Sequence, residues 1–202
     1  MKWLIIAQSA QKENASRAEK FFASNKCDFE KFDFNQDEKN LKDIFEKIPT
    51  FDGFLFLTDV KNSALILSFV LGFCHGKKMP VLIFDEEKKF SELFPSENEK
   101  LSLKNFYSEN ELFNWLEKNI DELKSDCLKR ANRNSLLEQG ISCNADSFEF
   151  YLEKEKTEIC KSILNSGIDV NSKTLQGVPL LCVATRNDSK EMLELLLKKG
   201  AD

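Results

Sequence analysis

Any chemistry in this sequence has to come from a few polar residues that follow apolar runs. Gln8 and Ser9 follow "KWLIIA", Thr58 and Asp59 follow "DGFLFL", and Asn62, Ser63 and Ser68 stand early in the long apolar stretch after that. The carboxyl ends of strands in an open α/β sheet frame a crevice, and a helix N-terminus there attracts phosphate. These seven residues make a candidate pocket for a small nucleotide ligand, one that senses without catalysing. The same residue types also turn a chain and cap a helix, which is the other reading of Asp59, Asn62 and Ser63. No Asp or Glu occurs between Asp59 and Asp85, so a helix in this interval has no carboxylate to act as nucleophile or general acid.

Metal and thiol chemistry have little to work with. His75 is the only histidine, and the cysteines at 27, 74, 127, 143, 160 and 182 form no Cys-x-x-Cys. No zinc site, and no cofactor or metal of any kind, is expected. His75 reads as a helix-end residue near the C-terminal dipole. Cys74 beside it reads as a half-buried helix cysteine, with a reactive thiol as the alternative.

The elements that would position these residues follow from hydrophobic patterning. "KWLIIA", "DGFLFL" and "MPVLIFD" are continuous apolar runs, the pattern of strands buried on both faces of a parallel sheet. "CDFEKFDF" and "SLKNFYS" add two further strands. Between them the spacing predicts helices: one with Ala15, Ala18, Phe21 and Phe22 on one face, and one with Leu41, Ile44, Phe45 and Ile48 inward, ended by Pro49. The third is the stretch "LSFVLGFCHGKK". Asn35 with Glu38, and Ser108 with Glu111, have capping-box spacing. The second pair opens an amphipathic helix with Leu112, Phe113, Leu116, Ile120, Leu123 and Cys127. Strand–helix alternation of this kind predicts an α/β domain over residues 1–126, a flavodoxin-like doubly wound parallel sheet of about five strands with right-handed crossovers.

Composition is that of an ordinary globular chain: among 202 residues, 42% are hydrophobic and 31% charged. The 18 Phe, with abundant Lys, Asn and Glu, reflect coding bias. A net charge of −5 without a basic stripe argues against nucleic acid. The start of the chain is too short and too polar for a signal peptide, and no apolar run approaches the ~20 residues that span a bilayer. A cytoplasmic protein with reduced thiols and no membrane partner is expected.

From residue 127 the pattern becomes helices separated by short polar turns. Gly167 and Gly200, in "ILNSGIDVN" and "LLLKKGAD", are 33 residues apart. Gly177, Pro179, Leu180, Ala184, Glu191, Leu195, Leu196, Gly200, Ala201 and Asp202 fall at the offsets of the ankyrin repeat, which this region resembles. Val178 and Leu181 depart from that pattern, standing where the family has a Thr and a His that hold the turn. "SFEFYLEKEKTEICKSILNSG" gives a preceding helix pair in which "EKEKTEICK" reads as a solvated helix face, and "LLEQGISCN" closes a unit before it. Gly140 and Gly167 are only 27 residues apart, so the finger between those units is expected to be shortened. The resemblance implies an all-α ankyrin region over 127–202 that continues beyond Asp202, and a protein partner bound by fingers and inner helices. Thr174, Gln176, Arg186 and Asp188 are the candidate exposed contacts, with solvated turn residues as the alternative.

The segment "DGFLFLTDVKNSALILSFVLGFCHGKKMPVLI" resembles the nucleoside deoxyribosyltransferase-like fold, and more distantly TIR domains. Val70-Leu71-Gly72-Phe73-Cys74 and Pro80-Val81-Leu82-Ile83 match the family's E-L-G-Y-A and P-V-I without a gap. The family's catalytic glutamate then falls on Val70, or on Ser68 when Gly76-Lys77 is matched instead. Neither is a carboxylate. The expectation is therefore protein–protein interaction through the repeats, with an α/β module that has no catalytic residue. The alternative is a nucleoside- or nucleotide-binding domain regulated by the repeats.

Overall fold

The apolar runs form the strands. The computed structural model describes residues 1–33, 38–57, 60–89 and 103–202, and these contain β1 (Lys2–Ala7), β2 (Asp28–Asp33), β3 (Gly53–Leu57), β4 (Val81–Phe84) and β5 (Leu103–Phe106). Every neighbouring pair is parallel, in the order β2-β1-β3-β4-β5. β3 and β4 are buried along their whole length and β1 along all but its first residue, as inner strands covered on both sides require. β2 lies at the edge and is partly exposed. Its Lys31 pairs with Glu19 and Asp33, and such charges blunt an edge against further pairing.

Side chains alternate between two cores. Trp3, Ile5, Leu55, Leu57, Leu82 and Phe84 face helix α1 (Lys12–Ser24) and the first half of α4 (Glu109–Glu138), meeting Ala15, Ala18, Phe22, Leu112 and Leu116. Leu4, Ile6, Phe54, Phe56, Val81 and Ile83 face α2 (Glu38–Lys47) and α3 (Val60–Lys77), meeting Ile44, Ile66, Leu67, Val70 and Cys74. The period of two along each strand thus assigns two helices to each face, the doubly wound arrangement. Cys74 is 2% exposed and belongs to the core, so it is no reactive surface thiol; His75 falls in the last turn of α3. Pro49 stands in a 3₁₀ turn, Ile48–Thr50, directly after α2. At the start of α4 the Glu111 N–H donates to Ser108 Oγ at 3.3 Å, while the Glu111 carboxylate accepts from the Tyr107 N–H at 3.2 Å. Asn35, and with it the other capping pair, lies outside the described residues.

Gly53 is more than the turn residue its Asp-Gly context suggests. It is the first residue of β3 and pairs in register with Trp3. A Cβ on Gly53 would lie 2.9 Å from Trp3 Cζ3 and 3.1 Å from Pro80 Cγ. The indole cannot yield, because it is fully buried and stacked on Phe22 with ring centroids 4.8 Å apart. Beside it, Asp52 locks the strand start: its carboxylate accepts from the Lys2 N–H and its own N–H donates to the Lys2 carbonyl, both at 2.8 Å.

The chain divides into two units, Met1–Lys124 and Ser125–Asp202. The division falls inside α4, which runs on to Glu138 rather than giving way to shorter helices near residue 126. No Gly or Pro interrupts residues 109–138, so nothing local stops the helix. Beyond it come two helix pairs, α5 (Ala145–Glu153) with α6 (Thr157–Asn165), and α7 (Leu180–Arg186) with α8 (Lys190–Lys198). Within each pair the helices pack together, and α5 meets α7 as α6 meets α8. One core runs through them from Leu136 to Ala201, centred on Phe148, Cys160, Ile163, Leu180 and Met192.

The ends of α4, α5, α7 and α8 share one device. Gly140 and Gly200 take left-handed φ of 73° and 91°, and the residues around them make the paired 6→1 and 5→2 bonds of a Schellman cap, Ile141 N–H to the Leu136 carbonyl and Ala201 N–H to the Leu196 carbonyl among them. Glu155 and Asp188 hold the same position at φ 57° and 50°. The run "EKEKTEICK" is therefore divided: Glu153 ends α5, residues 154–156 form the turn, and only residues 157–161 lie on a helix, the first turns of α6. Among the described residues no helix is long and apolar enough to cross a membrane.

Two outcomes follow from this packing. Gly53→Ala forces a methyl group against an immobile indole and should destabilise Met1–Lys124 by about 1–3 kcal/mol, read as a lower denaturation midpoint at unchanged m-value. Cys160 is fully buried, and burial raises its thiol from 9.0 to about 11. The unfolded thiol ionises first, so this contribution to stability is complete below pH 9 and is lost as pH rises toward 11. Cys160→Ala should flatten that part of the stability–pH curve, and native Cys160 should resist alkylation that modifies the exposed Cys182.

Candidate functional site

At the carboxyl edge of the sheet, Gln8 follows β1 and its N–H donates to the Leu57 carbonyl of β3 at 3.2 Å. Gln8 lines a cavity of about 180 Å³ together with Ala10, Gln11, Phe84, Asp85, Glu86 and Glu87. The strand-end rule therefore locates a real concavity, but its other wall is the end of β4. Asp85 is 4% exposed; its N–H donates to the Phe106 carbonyl at 2.9 Å and its own carbonyl accepts from the Lys88 N–H at 3.1 Å. Glu87 is ion-paired with Lys89.

The remaining predicted pocket residues are distributed differently. Ser9 begins a 3₁₀ turn that leads into α1, and Asn62 and Ser63 lie in the first turn of α3. Thr58 and Asp59 lie outside the described residues. Ser68 is exposed two turns into α3 and donates to the Ala64 carbonyl at 2.7 Å, a bond within its own helix; it does not line the cavity beside Gln8. None of the residues lining this cavity is cationic and three are acidic, a lining poorly suited to a phosphate. Its volume also falls below the roughly 300–1,000 Å³ typical of small-molecule pockets. Asp85, Glu86 and Glu87 had a signal in the sequence, "VLIFDEE", since the rule that singles out Gln8 applies equally to the residues after β4. Among the described residues no group of three or more His, Cys, Asp or Glu is placed to hold a metal.

The second surface is the finger between the helix pairs. Lys173 and Pro179 form an antiparallel bridge around a tight turn. Gly177, at φ 80°, donates its N–H to the Thr174 carbonyl at 2.8 Å. Thr174 is 5% exposed. Its N–H donates to the Val178 carbonyl at 2.9 Å and its Oγ1 accepts from the Val178 N–H at 3.3 Å. Thr174 is thus no exposed contact: its hydroxyl is consumed in holding the turn, the job that neither Val178 nor Leu181 can do from its own side chain.

What the finger presents instead is Leu175, 88% exposed, with exposed Gln176 beside it. The Leu175 N–H donates at 2.8 Å to a carboxylate oxygen of Asp146 in the first turn of α5. Arg186 on α7 pairs with Glu149 and Glu153 on α5, so it bridges the two helix pairs while staying half exposed. Asp188 is exposed in the turn between α7 and α8, in the left-handed conformation already described. A second tie joins the outer turns, where the Asn171 side-chain oxygen accepts from the Asp202 N–H at 3.1 Å.

Fold and site together define a doubly wound α/β unit joined to a unit of stacked helix pairs with a presented finger. No family model matches the chain, and comparison with curated proteins and with solved structures found no match.

The Asp146 contact can be tested directly. Asp146→Ala removes a charge-assisted acceptor worth roughly 1.5–3 kcal/mol. Hydrogen exchange at the Leu175 amide should accelerate by at least about tenfold, while the Gly177 amide, bonded within the turn, changes less.

Proposed function

We propose that Ser125–Asp202 is an ankyrin-like interaction module that binds a protein partner with its finger and the exposed sides of α5 and α7, and that Met1–Lys124 is an α/β module fused to it without a catalytic role. The observation that carries this reading is the fingertip: Leu175, 88% exposed, is held in place by Asp146 and by the Thr174-locked turn. Burying an apolar side chain this exposed contributes on the order of 1.5–3 kcal/mol when a partner covers it, and the rigid turn spares the entropy of ordering it. The helix-pair stacking and the Gly140, Gly167 and Gly200 turns support the resemblance to ankyrin repeats. For the α/β module, the valine at the position of the resembled family's glutamate supports a non-catalytic role. The carboxylate-lined, small cavity next to Gln8 also speaks against a nucleotide's phosphates.

The test is quantitative capture from the source cells with the tagged chain and with Leu175→Ser, in parallel with a photocrosslinking residue at position 175. A protein that crosslinks at 175 and whose recovery falls at least about tenfold in Leu175→Ser, the loss expected of an anchor, supports the module. Identical capture by both chains, with no crosslink at 175, excludes the finger as the binding surface.

A further inference from the structure

Away from the finger, the second unit carries an open groove of about 580 Å³. One wall is a single face of α4, including Leu128 and Lys129. The other is the end of α6, with Leu164, and the segment after it, with Ile168 and Val170, closed at one side by Lys199 at the end of α8. The walls are fixed by their own contacts. Arg133 Nη2 donates to the Ser166 carbonyl at 3.2 Å. The methylene stem of Lys129 lies against Gly167, where a Cβ would stand 3.0 Å from Lys129 Cδ at a backbone φ of 86°. A groove built in this way is preorganised, so little ordering cost falls on a ligand.

Its chemistry is specific in two respects. Leu128, 65% exposed, and the partly buried Ile168 and Val170 form an aliphatic strip among polar lining residues that include Ser125, Asn132 and Asn165. The ionisable groups that line it, Lys129 and Lys199, are both cationic in a chain of net charge −5. Lys129 is paired with Asp126 at 2.9 Å in an exposed ion pair, which is worth little in water. Lys199 has no ion-pair partner among the described residues. An enclosed pocket would bury most of a small molecule; this groove is open to solvent, and a segment of chain laid against it would be covered on one side.

We propose that this groove docks an acidic segment of a partner protein, seating one aliphatic side chain on the Leu128–Ile168–Val170 strip with carboxylates against Lys129 and Lys199. None of these residues belongs to the finger, so the inference stands or falls separately from the fingertip reading. The probe is a fluorescein-labelled peptide, Glu-Glu-Leu-Leu-Leu-Glu-Glu, titrated with the full chain and followed by anisotropy. Saturable binding with Kd on the order of 10–100 μM is expected, weakening as salt is raised. Leu128→Asp and Lys199→Glu should each weaken it by at least about tenfold, Lys199→Ala by less, and Leu175→Ser should leave it unchanged. Both substituted side chains are exposed, and an unchanged circular dichroism spectrum confirms that the fold is kept. The proposal is overturned by no saturable binding, by equal affinity for an all-Glu peptide, or by binding that Leu128→Asp and Lys199→Glu leave intact. Phosphatidylserine vesicles binding in place of the peptide, sensitive to the same substitutions, would also overturn it.

Discussion

A parallel strand carries apolar side chains on both of its sides, and neither side can be left to water. Most of Met1–Lys124 answers that constraint. The alternation within β1, with Trp3 and Ile5 to one side and Leu4 and Ile6 to the other, fixes which helices must cover which face. α1 and the first half of α4 supply one layer, α2 and α3 the other. The tightest point is where Trp3 lies over β3: only a residue without a side chain can begin that strand, and Phe22 stacks on the indole from α1. Strand register, helix position and the choice of glycine are thus consequences of accommodating one large ring.

Much of this was legible in the residues. Continuous apolar runs mark inner parallel strands because such strands have no wet face, and the weaker, charged β2 is the edge strand that its composition suggests. Helix endings were less legible. α4 runs past residue 126 because a change in pattern is not a stop signal, whereas Gly140 is one. Glu155 and Asp188 take the left-handed conformation most often filled by glycine, so the charged run "EKEKTEICK" reads as one helix face although residues 154–156 break it with a turn. The local cap bonds around them hold that conformation; Asp visits it more readily than most residues, whereas no residue preference announces it at Glu155.

The candidate sites divide in the same way. The residues after β1 were found by topology alone, since a doubly wound sheet opens at its carboxyl edge; those after β4 answer to the same rule. Thr174 shows the opposite limit. Its type and its position in a turn suggest an exposed contact, but its hydroxyl is bound to the Val178 amide, and the residue left to meet a partner is the neighbouring leucine. Which of two adjacent turn residues points outward depends on hydrogen bonds made within the turn and across to Asp146, and those pairings are not written in local sequence.

Two of those longer bonds say something about how the helix pairs melt. Asp146 in the first pair holds the Leu175 amide ahead of the second, and Asn171 holds Asp202 after it. Unfolding the second pair alone would give these two exposed hydrogen bonds up to water and, at greater cost, expose the shared core around Leu180 and Met192. The boundary between ordered and disordered chain is therefore costly to place between the pairs. In the language of one-dimensional arrays, the coupling between neighbours is carried by identifiable side chains as well as by buried area, which favours loss of order in both pairs together over opening of the second pair alone.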